Sequence, residues 1–187
     1  MPARIHNPDQ LIAQLGEVFR EHGFDGASMA AITAATGLGK GSLYHAFPGG
    51  KDEMATAVLA DIERWFQDEV FGPLGNPELA PALALGRMLD ACETYFEGGG
   101  RVCLVGAFAL GETRDRFHGA VSSYFGNWRD ALSSALGRAG LAEADAIALA
   151  EEAISRIQGS LVLARALGDP ACFRRELARL RAALGAV

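Results

Sequence analysis

Residues 40–47, KGSLYHAF, bring together the side chains of this chain best suited to chemistry at a surface. Leu43 and Phe47 lie four apart and share one face of a helix, which leaves Lys40, Gly41, Ser42, Tyr44 and His45 on the other. A cation at a helix start, a glycine that admits a close backbone, a hydroxyl, a phenol and an imidazole suit phosphate oxygens and base edges in a DNA groove. Catalytic patterns are weaker. His6, His22, His45 and His118 lack the HExxH spacing, no GxxxxGK[ST] occurs, and Gly39-Lys40-Gly41-Ser42 has neither a preceding strand nor the first glycine. Cys103 and His118 form a nucleophile pair only if folding joins them. The chain reads as a non-enzyme without metal or cofactor.

The elements that must position these residues are short helices. Ser28 is a helix-capping residue, and Met29, Ile32 and Thr36 recur at helical spacing behind it. Gly37 supplies the left-handed conformation of a helix end, a second helix begins near Lys40, and Pro48 stops it. Two helices joined by a short turn containing Gly make a helix-turn-helix, in which the second helix enters the DNA major groove. A plain αα-hairpin has the same spacing. Upstream, Asn7-Pro8-Asp9-Gln10 opens a first helix whose face is Leu11, Ile12, Leu15, Val18 and Phe19, closed by Gly23-Phe24. Phe24, Met29, Ile32, Leu38, Leu43 and Phe47 complete the expected small core. Beyond Pro48-Gly49-Gly50, Lys51 begins a long helix carrying Met54, Val58, Ile62, Trp65 or Phe66, and Val70, expected to connect two domains.

Global properties frame this reading. The chain has 187 residues, 50% of them hydrophobic, enough for a real core. No apolar run approaches the roughly 20 residues that span a bilayer, and MPARIHNPDQ is no signal peptide, so a cytoplasmic protein without membrane contact is expected. Cys92, Cys103 and Cys172 are odd in number and widely spaced, as reduced thiols would be. Helical periodicity recurs from end to end, and the fold class expected is all-α. The net charge is -6, which argues against non-specific coating of nucleic acid. Lys40 and Lys51 nevertheless bracket the second helix, and no acidic residue lies within it.

Residues 72–187 read as a second helical domain. Asn76-Pro77-Glu78 repeats the helix-opening chemistry of Asn7-Pro8-Asp9, and Leu85, Met88, Leu89, Cys92, Tyr95 and Phe96 form a stripe. Val102 to Leu110 is apolar nearly all round and is expected to be buried. A longer helix is expected from Thr113 to Arg138, then Glu143 to Leu167, then one opened by Asp169-Pro170. Met88, Cys92, Tyr95, Phe96, Cys103, Phe108, Phe125 and Trp128 have the aromatic and sulfur character of a pocket for a largely apolar small molecule. Ordinary core packing produces similar stripes. The arginines Arg165, Arg174, Arg175, Arg179 and Arg181 read as a solvated or salt-bridged face rather than a nucleic-acid patch.

The order of a first helix, Gly-Phe, Ser-Met at a cap, ITAATGLGKGSLYHAF, and then Lys51 on a long helix resembles the DNA-binding domain of TetR-family transcriptional repressors over residues 5–60. The resemblance implies a three-helix helix-turn-helix domain at 1–50 and a helical-bundle ligand-binding and dimerisation domain at 51–187. It implies DNA contacts, chiefly to phosphates, from Ser28, Lys40, Ser42, Tyr44, His45 and Lys51, with Lys40, Gly41 and Ser42 nearest the bases. Gly39 replaces the family's usual capping Ser. The extra residue in PGGK and the stretch RVCLVGAFALGE are similar to the LmrA/YxaF-like branch. The function implied is a repressor of palindromic double-stranded operator DNA, acting as a homodimer through the last two helices and released by a small-molecule effector. Ligand entering the second domain would shift the helix that starts at Lys51 and change the separation of the two reading helices. Two other readings stay open: a thiol-based redox sensor using Cys92 or Cys103, and a helical small-molecule-binding protein without DNA binding.

Overall fold

A computed structural model describes residues 7–111 and 113–186, and every regular element among them is helical. The chain divides into two compact units. One holds the described residues up to Glu63 together with Leu104–Val121, and the other holds Arg64–Cys103 and the described residues from Ser122 onward.

In the first unit, α1 (Pro8–Gly26) starts where Asn7 Oδ1 accepts the Asp9 N–H at 3.1 Å. It buries Leu11, Leu15, Val18 and Phe19. Gly23, at φ +67°, breaks the helical path and sends the Phe24 ring into the core. Helix α2 (Met29–Thr36) begins with Ser28 Oγ accepting the Ala31 N–H at 3.1 Å and ends at Gly37, whose φ of +67° is the left-handed turn expected there. Helix α3 (Lys40–Ala46) follows at once, then α4 (Lys51–Phe66). Ile32, Leu43, Phe47, Met54, Val58 and Ile62 are buried, while Met29 and Leu38 are only half-buried.

Two later helices, α7 (Leu104–Leu110) and α8 (Thr113–Arg116), also fall in this unit, contrary to a second domain running unbroken from residue 72. The cause is aromatic packing. Phe108 and Phe117 lie 6.1 and 5.2 Å from the Phe24 ring centre and 5.3 Å from each other. Burying Phe117 interrupts the helix expected from Thr113 to Arg138, so α9 (His118–Arg138) starts after it. Nor is Val102 to Leu110 enclosed on all sides, since Leu110 is 85% exposed.

The second unit contains α5 (Gly72–Gly75), α6 (Pro81–Tyr95), α9 from Ser122, α10 (Glu143–Leu167) and α11 (Ala171–Leu184). Between α4 and α5 lies a π-helical turn, Gln67–Phe71, in which the Gly72 N–H bonds the Gln67 carbonyl. Pro73 has no N–H for the carbonyl four residues back, which favours this wider register. Asn76-Pro77-Glu78 makes a turn, with Asn76 Oδ1 accepting the Glu78 N–H at 2.9 Å, and the helix itself waits until Pro81. Helices α10 and α11 pack together through Ile157, Leu161, Phe173, Leu177 and Leu180. Of the arginine-rich face, Arg179 meets Glu176, Arg175 meets Asp169 and Arg181 meets Asp90, while Arg174 donates to the Gly98 carbonyl; Arg156 also meets Glu176. No helix among the described residues is long and apolar enough to cross a membrane.

Candidate nucleic-acid interface and effector site

Helix α3 separates its two faces sharply. Leu43 is fully buried, whereas Lys40, Gly41, Ser42 and His45 are exposed and Tyr44 is 49% exposed. The Tyr44 ring lies against the Gly50 backbone, where an added Cβ would stand 3.4 Å from the ring edge. Ser28 is exposed as well. Its oxygen is engaged in the α2 cap, and its own O–H is left to donate outward. These residues therefore form an outward surface on a fixed backbone, able to place one cation, two hydroxyls, a phenol and an imidazole against a duplex.

Lys51, for which the resemblance implies a phosphate contact, has partners within the chain. Its Nζ donates to the Phe24 carbonyl at 2.8 Å and approaches the Asp25 carbonyl at 3.5 Å, and it stands 4.4 Å from the centre of the Phe24 ring. Breaking α1 at Gly23 leaves those carbonyls outside the helical ladder, and a lysine ammonium satisfies them well. On the same ring, the Arg116 guanidinium lies 5.1 Å from the centre and pairs with Asp52 at 3.0 Å.

The second unit has a buried aromatic and sulfur cluster. Trp128 Nε1 donates to Met88 Sδ at 3.5 Å, and the Phe66 ring stands 4.9, 4.8 and 5.5 Å from those of Tyr95, Tyr124 and Trp128. Cys92, Cys103 and Phe96 are buried there too, and half-buried Phe125 touches Tyr124. Burial, and then the neighbouring Cys103, hold the Cys92 thiol far above the ordinary thiol range. A thiol kept neutral is a poor nucleophile, which weighs against redox sensing by Cys92. Of the eight residues expected to line a pocket, Phe108 stands apart, because its ring packs on Phe19, Phe24 and Phe117 in the first unit. Phe66, Phe71 and Tyr124 belong to the cluster although sequence reading did not select them. Tyr124 falls in the helix expected from Thr113 to Arg138, but nothing in its spacing sets it apart from core.

Two family models match the chain. "Bacterial regulatory proteins, tetR family" covers residues 11–58, and "Transcriptional regulator LmrA/YxaF-like, C-terminal domain" covers residues 81–177. The chain belongs to the TetR family of transcriptional regulators. Within it, the LmrA/YxaF-like branch is supported by the second match. A relative in Mycobacterium tuberculosis, the HTH-type transcriptional regulator MT0206, is 24% identical over 166 residues, covering 86% of this chain and 85% of that one. A TetR regulator from Legionella pneumophila has the same fold, with TM-score 0.78 and 21% identity over 95% of this chain and 97% of the other. The TetR regulator CifR, solved as a cysteine mutant with 26-base-pair operator DNA, superposes with TM-score 0.74 at 26% identity over 97% of each chain. As a TetR regulator this chain carries a DNA-binding helix-turn-helix, which assigns α2 and α3 to that motif.

Proposed function

We propose that this TetR regulator is a repressor that binds palindromic operator DNA as a homodimer and lets go when a small, largely apolar effector enters the second unit. The observation that carries the DNA reading is α3 itself: a fully buried Leu43 beneath an exposed Lys40, Ser42, Tyr44 and His45. CifR, at 26% identity, is a family member solved on operator DNA, which supports the same use of α3 here. Ser28, Lys40, Gly41, Ser42, Tyr44 and His45 are the proposed contacts, and Lys51 is assigned to hold the α1 terminus behind them.

Dimerisation is supported by α10. Val162, Leu163 and Leu167 are exposed at 60%, 54% and 67%, with exposed Gly159 and Ala166 between them, and these positions share one helical face. Ile154, Ile157, Leu161 and Ala164 lie on the other side of the helix and are spent on packing within the unit. A second copy of the chain would cover the exposed face and set two α3 helices about 34–36 Å apart, one turn of DNA. An effector can release DNA only through preferential binding to one dimer geometry.

The test is selection of bound sequences from random DNA with purified protein, followed by gel-shift titration of the enriched site. A two-fold symmetric site is expected, bound at least tenfold more weakly by Tyr44→Ala, with the variant's circular dichroism unchanged. An asymmetric site, or wild-type affinity in the variant, would refute the reading.

A further inference from the structure

The Tyr124 side chain is 1% exposed, and its hydroxyl is buried without a partner at full hydrogen-bond geometry. Among the described residues the Cys103 thiol interacts with it as a hydrogen-bond partner, and a thiol is a weak one. Leaving a phenol O–H in apolar surroundings is costly, and buried tyrosines usually find an oxygen or nitrogen. Around it stand Phe66, Phe71 and Trp128 at ring distances of 4.8, 6.0 and 5.9 Å. Burial, then Cys103, Tyr95 and Cys92, raise the phenol well above its ordinary range, so it stays a donor at any physiological pH.

Phe71, one wall of this cluster, ends the π-helical turn of residues 67–71. That turn is held in its wide register by Pro73 and by Gly72, where a Cβ would come within 2.8 Å of the Gln67 carbonyl. Such turns recur at functional sites. The cluster thus sets a donor without full hydrogen-bond geometry beside a wall whose position the π turn fixes.

We propose that the Tyr124 hydroxyl is the polar anchor of the effector site, and that the effector is a small uncharged molecule, mostly apolar, offering one carbonyl or ether oxygen to it. This rests on the reading that the second unit takes an effector. Phe66, Phe71, Trp128, Tyr95, Cys92 and Cys103, neighbours of Tyr124 among the described residues, carry no charge, so an ionised ligand among them would lose its hydration without replacement. A charge touches the edge of the cluster. Arg101 lies 4.9 Å from the Tyr95 ring centre and donates to the Tyr95 carbonyl at 3.4 Å, so an anion is the competing chemistry.

The experiment compares three probes of one chain length, 2-octanone, octane and octanoate, by thermal shift and direct calorimetry on wild type, Tyr124→Phe and Cys103→Ala. Wild type should bind the ketone about tenfold more tightly than the alkane, and Tyr124→Phe should erase that difference. Without ligand, Tyr124→Phe should melt about 2–4 °C higher, because an unsatisfied hydroxyl is gone. Equal ketone affinity in Tyr124→Phe overturns the anchor. Preference for octanoate overturns the uncharged class and points to Arg101. A Tyr124→Phe protein that melts lower than wild type, by as much as Cys103→Ala does, makes the hydroxyl and thiol a structural pair and overturns the proposal. Binding of octane and 2-octanone alike removes the anchor and leaves the effector reading standing, whereas no shift with any probe counts against both.

Discussion

An ammonium in open solvent keeps its hydration and remains available to a phosphate, while one lodged on carbonyls has exchanged part of it for fixed hydrogen bonds. Lys40 is of the first kind, fully on the outer face of α3; Lys51 is of the second, 2.8 Å from the Phe24 carbonyl and over its ring. Removing each charge should therefore register in different measurements. Lys40→Met is expected to leave the unfolding free energy within about 0.5 kcal/mol of wild type, as surface changes do. It should also lower the salt dependence of DNA binding by about one phosphate contact. Lys51→Met is expected to cost about 1 kcal/mol in urea titration, since a charged hydrogen bond in a half-exposed site is lost. Its effect on the salt slope should be smaller than that of Lys40→Met. A Lys51→Met protein of wild-type stability with the larger change in slope would restore Lys51 to the phosphate surface.

At the scale of the element, α3 is too short to be stable alone and depends on its caps and on Leu43. Its N-cap, Gly39, has φ -69° and ψ 156°, an extended conformation that any residue adopts, makes no side-chain cap bond, and has open space where a Cβ would go. Gly39→Ser should then supply the missing acceptor and stabilise the protein by a few tenths of a kcal/mol, read as a higher urea midpoint at unchanged slope. A lower midpoint would mean that the added side chain strains the start of α3 instead of capping it. The same locality explains what the sequence made legible. Caps at Asn7, Ser28 and Gly37, the bounds of α10 and the start of α11 follow from residues within a turn of each other. Residues Leu104–Val121 were misplaced because their decisive partners, Phe19 and Phe24, lie some eighty positions upstream, and apolar periodicity does not say which core a helix joins. The π turn was missed for the opposite reason: Gly72-Pro73 reads as a linker, and only the geometry shows that the helix widens there before it ends.

For the whole molecule, charge and oligomeric state are coupled. A chain with net charge -6 gains little from general attraction to DNA, and one α3 offers few cationic contacts beyond Lys40. The proposed dimer would double those contacts on a two-fold frame, and the exposed ridge of Val162, Leu163 and Leu167 on α10 would supply the apolar surface for it. Gly159 within the same face lets a partner helix approach closely. Leu163→Glu tests this chain of reasoning, because Leu163 is 54% exposed in the single chain and a charge there harms nothing inside the protomer. Buried between two copies, the same carboxylates would face one another without counter-charge and drive the copies apart. Sedimentation velocity at micromolar protein should show a dimer for wild type and a monomer for Leu163→Glu. Wild-type melting should rise with concentration while that of the variant does not, since association stabilises by mass action. Operator affinity should fall by at least a hundredfold in the variant although every α3 residue is intact. A Leu163→Glu protein that remains dimeric and binds normally would move the interface to another face of the second unit.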